Sequence, residues 1–239
     1  MKSSTPNDQY RVIDLPRIPI PDDSVAHLLA SHARKFSQKI AIVAVNVDTD
    51  EADTISYGQL DVLVRRAASW LSSLGIIRGD RFAILMHNAP EVLILELAGA
   101  MIGAATVPLD FKRDTLDRKI YKLKDTGAKM LFIKNEDISP DDSRTIIDAK
   151  PDITIRTWSS TKEFERLLPT NSIVKATGAL DDYYVVLYTS GTTALPKGVL
   201  LSTRACLLNA MGIVDWQKFT VDDVFNIVLP LHHINSTEF

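Results

Sequence analysis

Cysteine is almost missing from this 239-residue chain; Cys206 is the only one. An intramolecular disulfide framework is therefore excluded, and the helical pattern around Cys206 makes it a packing residue. Basic blocks are missing as well. Lys and Arg number 27 against 30 Asp and Glu, for a net charge of −3. No segment interleaves basic and aromatic residues, which removes the usual footprint of nucleic-acid binding. Acidic ligands must be drawn in by local groups, not by the overall field. The stretch from Met1 to Pro21 is polar and dotted with proline, with no apolar core of the secretory-leader type. The expectation is a cytoplasmic protein, in which the sequon Asn235-Ser236-Thr237 has no meaning. Long apolar runs are scarce too. The nearest, Val92 to Leu109, is broken by Glu96, Gly99, Gly103 and Pro108. A membrane span needs about 20 apolar residues, so this run reads as a buried helix and then a buried strand, and no transmembrane segment is expected. There is no internal repeat and no low-complexity tract.

What is present is an ordinary globular composition, 46% hydrophobic and 24% charged. The length suits one large domain or two small ones. Asp22-Asp23-Ser24 can cap a helix running to about Phe36. A strand over 39–47, an acidic turn over 48–53 and a short strand over 55–57 form a hairpin. A helix over 58–74 stops at Gly75. Then follow a strand (81–86), a helix (90–102), a strand (104–109), a helix (115–125) stopped near Gly127, and a strand (129–134). A polar break at 137–143 leads to a short helix, a strand near 153–158, a helix (160–168) and a loop (169–178). Residues 184–189 form a strand, 202–218 a helix and 223–231 a last strand. Alternation of this kind predicts an α/β fold with parallel-rich sheets covered by helices. The expected organisation is an extended tail (1–21), a first α/β subdomain (22–178) and the start of a second (179–239).

The most telling stretch is Tyr188-Thr189-Ser190-Gly191-Thr192-Thr193-Ala194-Leu195-Pro196-Lys197-Gly198. It follows the apolar run Tyr184–Leu187 and precedes a second, Val199-Leu200-Leu201. Four hydroxyls, two glycines and a lysine between two such runs suit a loop wrapped around phosphate oxygens. Hydroxyls and free backbone N–H groups donate to the anion, and lysine adds a mobile charge. Charge-assisted hydrogen bonds are worth about 1.5–3 kcal/mol each. The order is not that of a Walker A loop, which ends in Gly-Lys followed by Ser or Thr.

The run Thr-Ser-Gly-Thr-Thr-x-x-Pro-Lys-Gly resembles the signature of the adenylate-forming superfamily, which includes acyl-CoA synthetases, aryl-CoA ligases, luciferases and peptide-synthetase adenylation domains. Thr54–Leu60, Gly75–Leu85, Asn88–Glu91, Gly103–Asp110 and Leu229–Asn235 resemble further family segments, in the family's order. Three positions depart from the pattern. Ala194 stands where glycine is usual, at a cost of about 1–2 kcal/mol if that residue needs a left-handed backbone. Thr203 stands where histidine is frequent, and His232 where an aromatic residue is frequent.

The resemblance implies a reaction. A carboxylic acid oxygen attacks the α-phosphorus of ATP, pyrophosphate leaves, and a thiol such as coenzyme A displaces AMP from the acyl-adenylate. By the same resemblance, Thr189, Ser190, Thr192 and Thr193 would contact the departing phosphates. Gly191 would allow close approach, and Lys197 and Gly198 would complete the loop. Lys197 and His233 would be the catalytic pair, with His233 and Asn235 beside the acid. No acidic residue stands where amino-acid-adenylating members pair with a substrate amine, so a fatty or aryl acid is favoured. ATP, Mg²⁺ and coenzyme A are the implied cofactors, the last two engaged mainly through sequence beyond this stretch, and no metal ligand is assigned here. Family enzymes are about twice this long, so the chain is expected to be an N-terminal portion that is inactive alone. Two alternatives stay open: an adenylation domain that loads a carrier protein, and a half-domain acting only as a binding module.

Overall fold

The computed structural model describes residues 20, 23–46, 49–171, 174–189 and 195–233. Nearly all of the expected N-terminal tail lies outside them. Local signals explain where the elements start and stop. Helix α1 (Val25–Lys35) is capped by the Ser24 hydroxyl, which accepts from the His27 N–H. Strands β1 (Ile40–Val45) and β2 (Ala52–Ser56) form the expected antiparallel hairpin. Helix α2 (Tyr57–Ser73) opens with a capping box, in which Ser56 accepts from the Gln59 N–H and the Gln59 side chain accepts from the Ser56 N–H.

Among the described residues, six strands build the main sheet: β3 (Arg81–Leu85), β4 (Ala105–Pro108), β5 (Met130–Lys134), β6 (Thr154–Trp158), β7 (Tyr183–Thr189) and β8 (Lys197–Ser202). Their order is β6-β5-β3-β4-β7-β8. All neighbours are parallel except β7 and β8, which form a hairpin. The crossovers run through α3 (Pro90–Ile102), α4 (Leu116–Thr126), α5 (Pro140–Ala149) and α6 (Thr161–Leu167), while α7 (Thr203–Gln217) follows β8.

The central strands are buried on both faces, so their side chains divide by alternation. Phe82 and Ile84 of β3 and Met130 and Phe132 of β5 pack with α2 and α3. Ala83 and Leu85, with Leu131 and Ile133, pack against Leu123 of α4 and Ile146 of α5. Trp70, Phe132, Trp158, Phe164 and Phe82 form a continuous aromatic cluster on the first face. Helix α3 is buried nearly all round, which confirms the reading of the Val92–Leu109 run. It ends at Gly103, in the left-handed region at φ +79°. No helix among the described residues is long and apolar enough to cross a membrane.

One expected element is absent. Residues 223–231 carry no strand. Val224, Phe225, Ile227 and Val228 are exposed. A strand needs a neighbour to satisfy its backbone groups, and the described residues supply none here. Cys206 is half-buried on α7, not enclosed as expected.

Candidate functional site

Parallel α/β sheets place ligands outside the carboxyl ends of their strands, most often where successive crossovers leave for opposite faces. Here β3 and β5 are adjacent. The helix after β3 packs in one core and the helix after β5 in the other, so the switch point falls between these two strand ends.

The residues just past the carboxyl ends are polar. Beyond β3, the His87 N–H donates to Asp137 Oδ2 at 3.1 Å, and His87 Nδ1 bonds Asp137 Oδ1. Asp137 lies in a 3-10 turn (Asn135–Asp137) directly after β5, with its side chain fully buried. The His87 ring lies 3.8 Å from the Phe111 ring, and Phe111 meets the His232 ring edge-on at 5.4 Å. Beyond β4, Asp110 Oδ1 accepts from the Lys112 and Arg113 N–H groups at 2.9 and 2.8 Å. Asp110 Oδ2 lies 3.3 Å from His232 Nε2. The Asp110 N–H donates to Asp114 Oδ2, which also pairs with Lys122.

Burial pushes the Asp110 carboxyl up, but the Arg113 and Lys112 N–H donors and the nearby His232 outweigh it and hold it below the usual range. Burial lowers His232, against the pull of Asp110 and Asp114. The hydrogen bonds agree with a neutral ring. His232 Nε2–H can donate to Asp110, whereas Nδ1 is buried with no partner among the described residues. A second proton there would create an unsatisfied buried donor.

The stems of the loop singled out from the sequence reach the same edge. Thr106 pairs with Val185 in parallel register, so Asp110 continues level with Thr189. Thr189 then pairs with Lys197 across the β7–β8 hairpin, which places the threonine and the lysine at the two feet of the loop. Lys197 is exposed. Gly198 lies opposite Tyr188, and a Cβ on it would stand 3.3 Å from the Tyr188 ring and 3.2 Å from Val186. Glycine thus admits the tyrosine ring. Helix α4 grips both stems. The Tyr188 hydroxyl donates to Asp125 Oδ2 at 2.6 Å, and the Tyr121 hydroxyl donates to the Pro196 carbonyl at 3.2 Å. Lys122 lies over the Tyr188 ring at 5.1 Å. Burial, then the Asp125 carboxylate, push the Tyr188 phenol far up, so it stays a donor.

Of the residues singled out from the sequence, Thr189, Lys197 and Gly198 come together on the loop stems. His233 is exposed on the segment that carries His232. Ser190, Gly191, Thr192, Thr193 and Asn235 lie outside the described residues. Asn88, His87, Asp110, Phe111, Asp137 and helix α4 had no assigned role. Their readable signal is position, since His87-Asn88 and Asp110-Phe111 each follow a buried apolar strand.

The "AMP-binding enzyme" family model matches residues 29–239, and the chain belongs to that family. Over 236 residues it is 31% identical to 4-coumarate–CoA ligase of Vanilla planifolia, covering 93% of this chain and 42% of that enzyme. Among solved structures it resembles the Mycobacterium tuberculosis fatty acyl CoA synthetase, with TM-score 0.68, 27% identity, and coverage of 91% of this chain and 42% of that one. It also resembles O-succinylbenzoate coenzyme A synthetase of Bacillus subtilis, solved in complex with ATP and magnesium ion. That match has TM-score 0.73 and 20% identity, and covers 91% of this chain and 53% of that one. The chain thus spans about half, or less, of the proteins it matches.

Proposed function

We propose that this chain is the N-terminal portion of an AMP-forming acid–CoA ligase, which activates a fatty or aryl carboxylic acid as its adenylate and transfers the acyl group to coenzyme A. The observation that carries the reading is the phosphate-loop sequence at the carboxyl end of β7, level with the polar edge of β3, β4 and β5, within a family match over most of the chain.

The reaction gathers negative charge in one place, so preorganised donors do most of the work. The Thr189 hydroxyl and the loop hydroxyls donate to the β- and γ-phosphates as pyrophosphate departs. Lys197 supplies positive charge from the opposite foot of the loop. His233 stands beside the acid and steers its oxygen toward the α-phosphorus. Among the described residues no group of three His, Cys, Asp or Glu side chains could hold a metal alone. Magnesium would therefore come with ATP and neutralise phosphate charge, and no step is assigned to it here.

Large apolar residues near residue 220 are bare: Trp216 is 80% exposed, Val224 90% and Val228 78%. Exposed apolar surface of this kind can meet another protein surface. In this reading it meets the remainder of the ligase, and completing the activity needs that remainder.

Calorimetric titration of MgATP into the chain tests the proposal. Weak saturable binding is expected, reduced about tenfold by Lys197→Ala, the scale of one charge-assisted hydrogen bond. Equal binding by both proteins would remove the phosphate-loop assignment. Robust acid-dependent pyrophosphate release by this chain alone would overturn its dependence on a further part.

A further inference from the structure

The segment that carries His233 has no ladder to hold it, yet two independent contacts fix its place. Asn88 grips its backbone from both sides of one residue. Asn88 Nδ2 donates to the Leu229 carbonyl at 2.9 Å, and the Leu231 N–H donates to Asn88 Oδ1 at 2.8 Å. This pairing imitates a strand neighbour for a single step. Asn88 is itself well placed to do so, because it lies one residue before the Ala89 N-cap of buried helix α3. The two bonds flank Pro230, and Leu231, whose N–H makes the second, is buried in the main core. The second contact follows at once: His232 Nε2 lies 3.3 Å from Asp110 Oδ2, and Phe111 closes against the ring edge-on. Asp110 is in turn held by the Lys112 and Arg113 N–H groups. The His233 N–H then turns back to the Pro230 carbonyl at 3.0 Å.

These contacts tie one short segment to the carboxyl ends of both β3 and β4. Each side chain has a different environment: Leu231 enters the core, His232 meets Asp110 and Phe111, and His233 is exposed.

We propose that Asn88 and the Asp110–His232 pair are positioning residues that lock the backbone of residues 229–233 in register and so set where His233 stands against the acid; the part concerning the acid rests on the ligase reading above. The latch has a division of labour. Asn88 fixes the backbone before the turn, and the Asp110–His232 bond fixes its rotation, because a one-residue slip would exchange the inward His232 for His233. Nothing in this role requires Asn88, Asp110 or His232 to touch substrate.

Nuclear magnetic resonance of the whole chain tests it. In Asn88→Ala, exchange of the Leu231 amide should rise about tenfold, the scale of one to two net hydrogen bonds. The His233 ring resonances should shift at the same time. His232→Phe keeps a ring against Phe111 and removes only the bond to Asp110; it should also move the His233 resonances. Asp110→Ala should act like His232→Phe. Asp110→Asn keeps an oxygen to accept from Nε2–H and should restore the wild-type His233 spectrum. Unchanged Leu231 exchange in Asn88→Ala would overturn the latch. Faster exchange with an unmoved His233 spectrum would overturn its positioning role. MgATP binding to the unaltered chain is read separately, so a failure of the ligase reading is not confused with a failure of the latch.

Discussion

The two ends of the six-stranded sheet are built from the same strands and carry opposite kinds of polar chemistry. At the amino ends the charges are matched in pairs. Arg78 bonds Asp182 at 2.8 Å, Lys129 bonds Asp80 at 2.7 Å, and Arg204 bonds Asp181 at 2.7 Å. Arg81 donates to the Thr126 and Gly79 carbonyls, closing the ends of α4 and the preceding turn. At the carboxyl ends the pairs are built on histidine and buried carboxylates, His87 with Asp137, His232 with Asp110, and Lys122 with Asp114. Lys197 and His233 are exposed at this end, and His232 keeps a buried nitrogen with no partner among the described residues. Matched surface pairs contribute little beyond orientation. Exposed donors at the carboxyl ends of parallel strands are what a charged substrate can use. In the proposed reading the first end serves the fold and the second the chemistry.

The largest expected effect would break both ends together. Phe132 is fully buried in β5 and touches Trp70, Phe82 and Trp158. Phe132→Ala should cost about 3–5 kcal/mol, seen as a lower urea midpoint. Next, Lys122→Met should cost about 3 kcal/mol, because it leaves Asp114 buried beside Asp110 with its cation gone. Lys122→Met with Asp114→Asn should recover part of that loss in the same urea assay; no recovery would mean the cost is packing of the lysine stem.

A smaller effect separates the ends. Tyr121→Phe removes one hydroxyl from a loop stem and should cost about 1 kcal/mol, with MgATP binding weakened a few-fold in calorimetry. Arg78→Ala at the other end should lower the urea midpoint slightly and leave MgATP binding alone. Equal losses of nucleotide affinity in both variants would erase the distinction.

The smallest effect is a pH slope. The His232 ring faces Phe111, Asp110 and Asp114, with His233 next to it, and burial keeps its pKa below the usual value. The unfolded chain, with histidine near about 6.5, then binds the proton first as pH falls. Stability is complete above that pH and declines as pH drops toward the folded-state value. The depressed Asp110 carboxyl adds a loss of the same sign at still lower pH. Urea midpoints between pH 7.5 and 5.5 should fall in the wild type and fall less in His232→Phe. A wild-type midpoint that rises on acidification would contradict the neutral ring.

Much of the fold was legible because its causes are local. Ser24, Ser56 with Gln59, Gly103 and Gly127 mark helix ends at the expected places. Apolar runs mark β3, β4, β5 and β7. The strand expected over 223–231 failed for a non-local reason, since its apolar residues face no neighbouring strand among the described residues. The candidate loop could be singled out because hydroxyl, glycine and lysine are adjacent in sequence, and its stems form the β7–β8 hairpin. The rest of the site was not, because Asn88 meets Leu231 across 143 positions and His87 meets Asp137 across 50. No spacing rule spans such distances, and only the topology brings them together.

The most direct test of the account is a map of backbone amide shifts during an MgATP titration of the ¹⁵N-labelled chain. The account predicts that the perturbed amides cluster at the carboxyl edge, around residues 86–88, 110–114, 189 and 197–198, while Gly79, Arg81, Gly103 and Asp182 stay unmoved. Perturbations centred on the amino ends of the same strands, or none at saturating nucleotide, would contradict it.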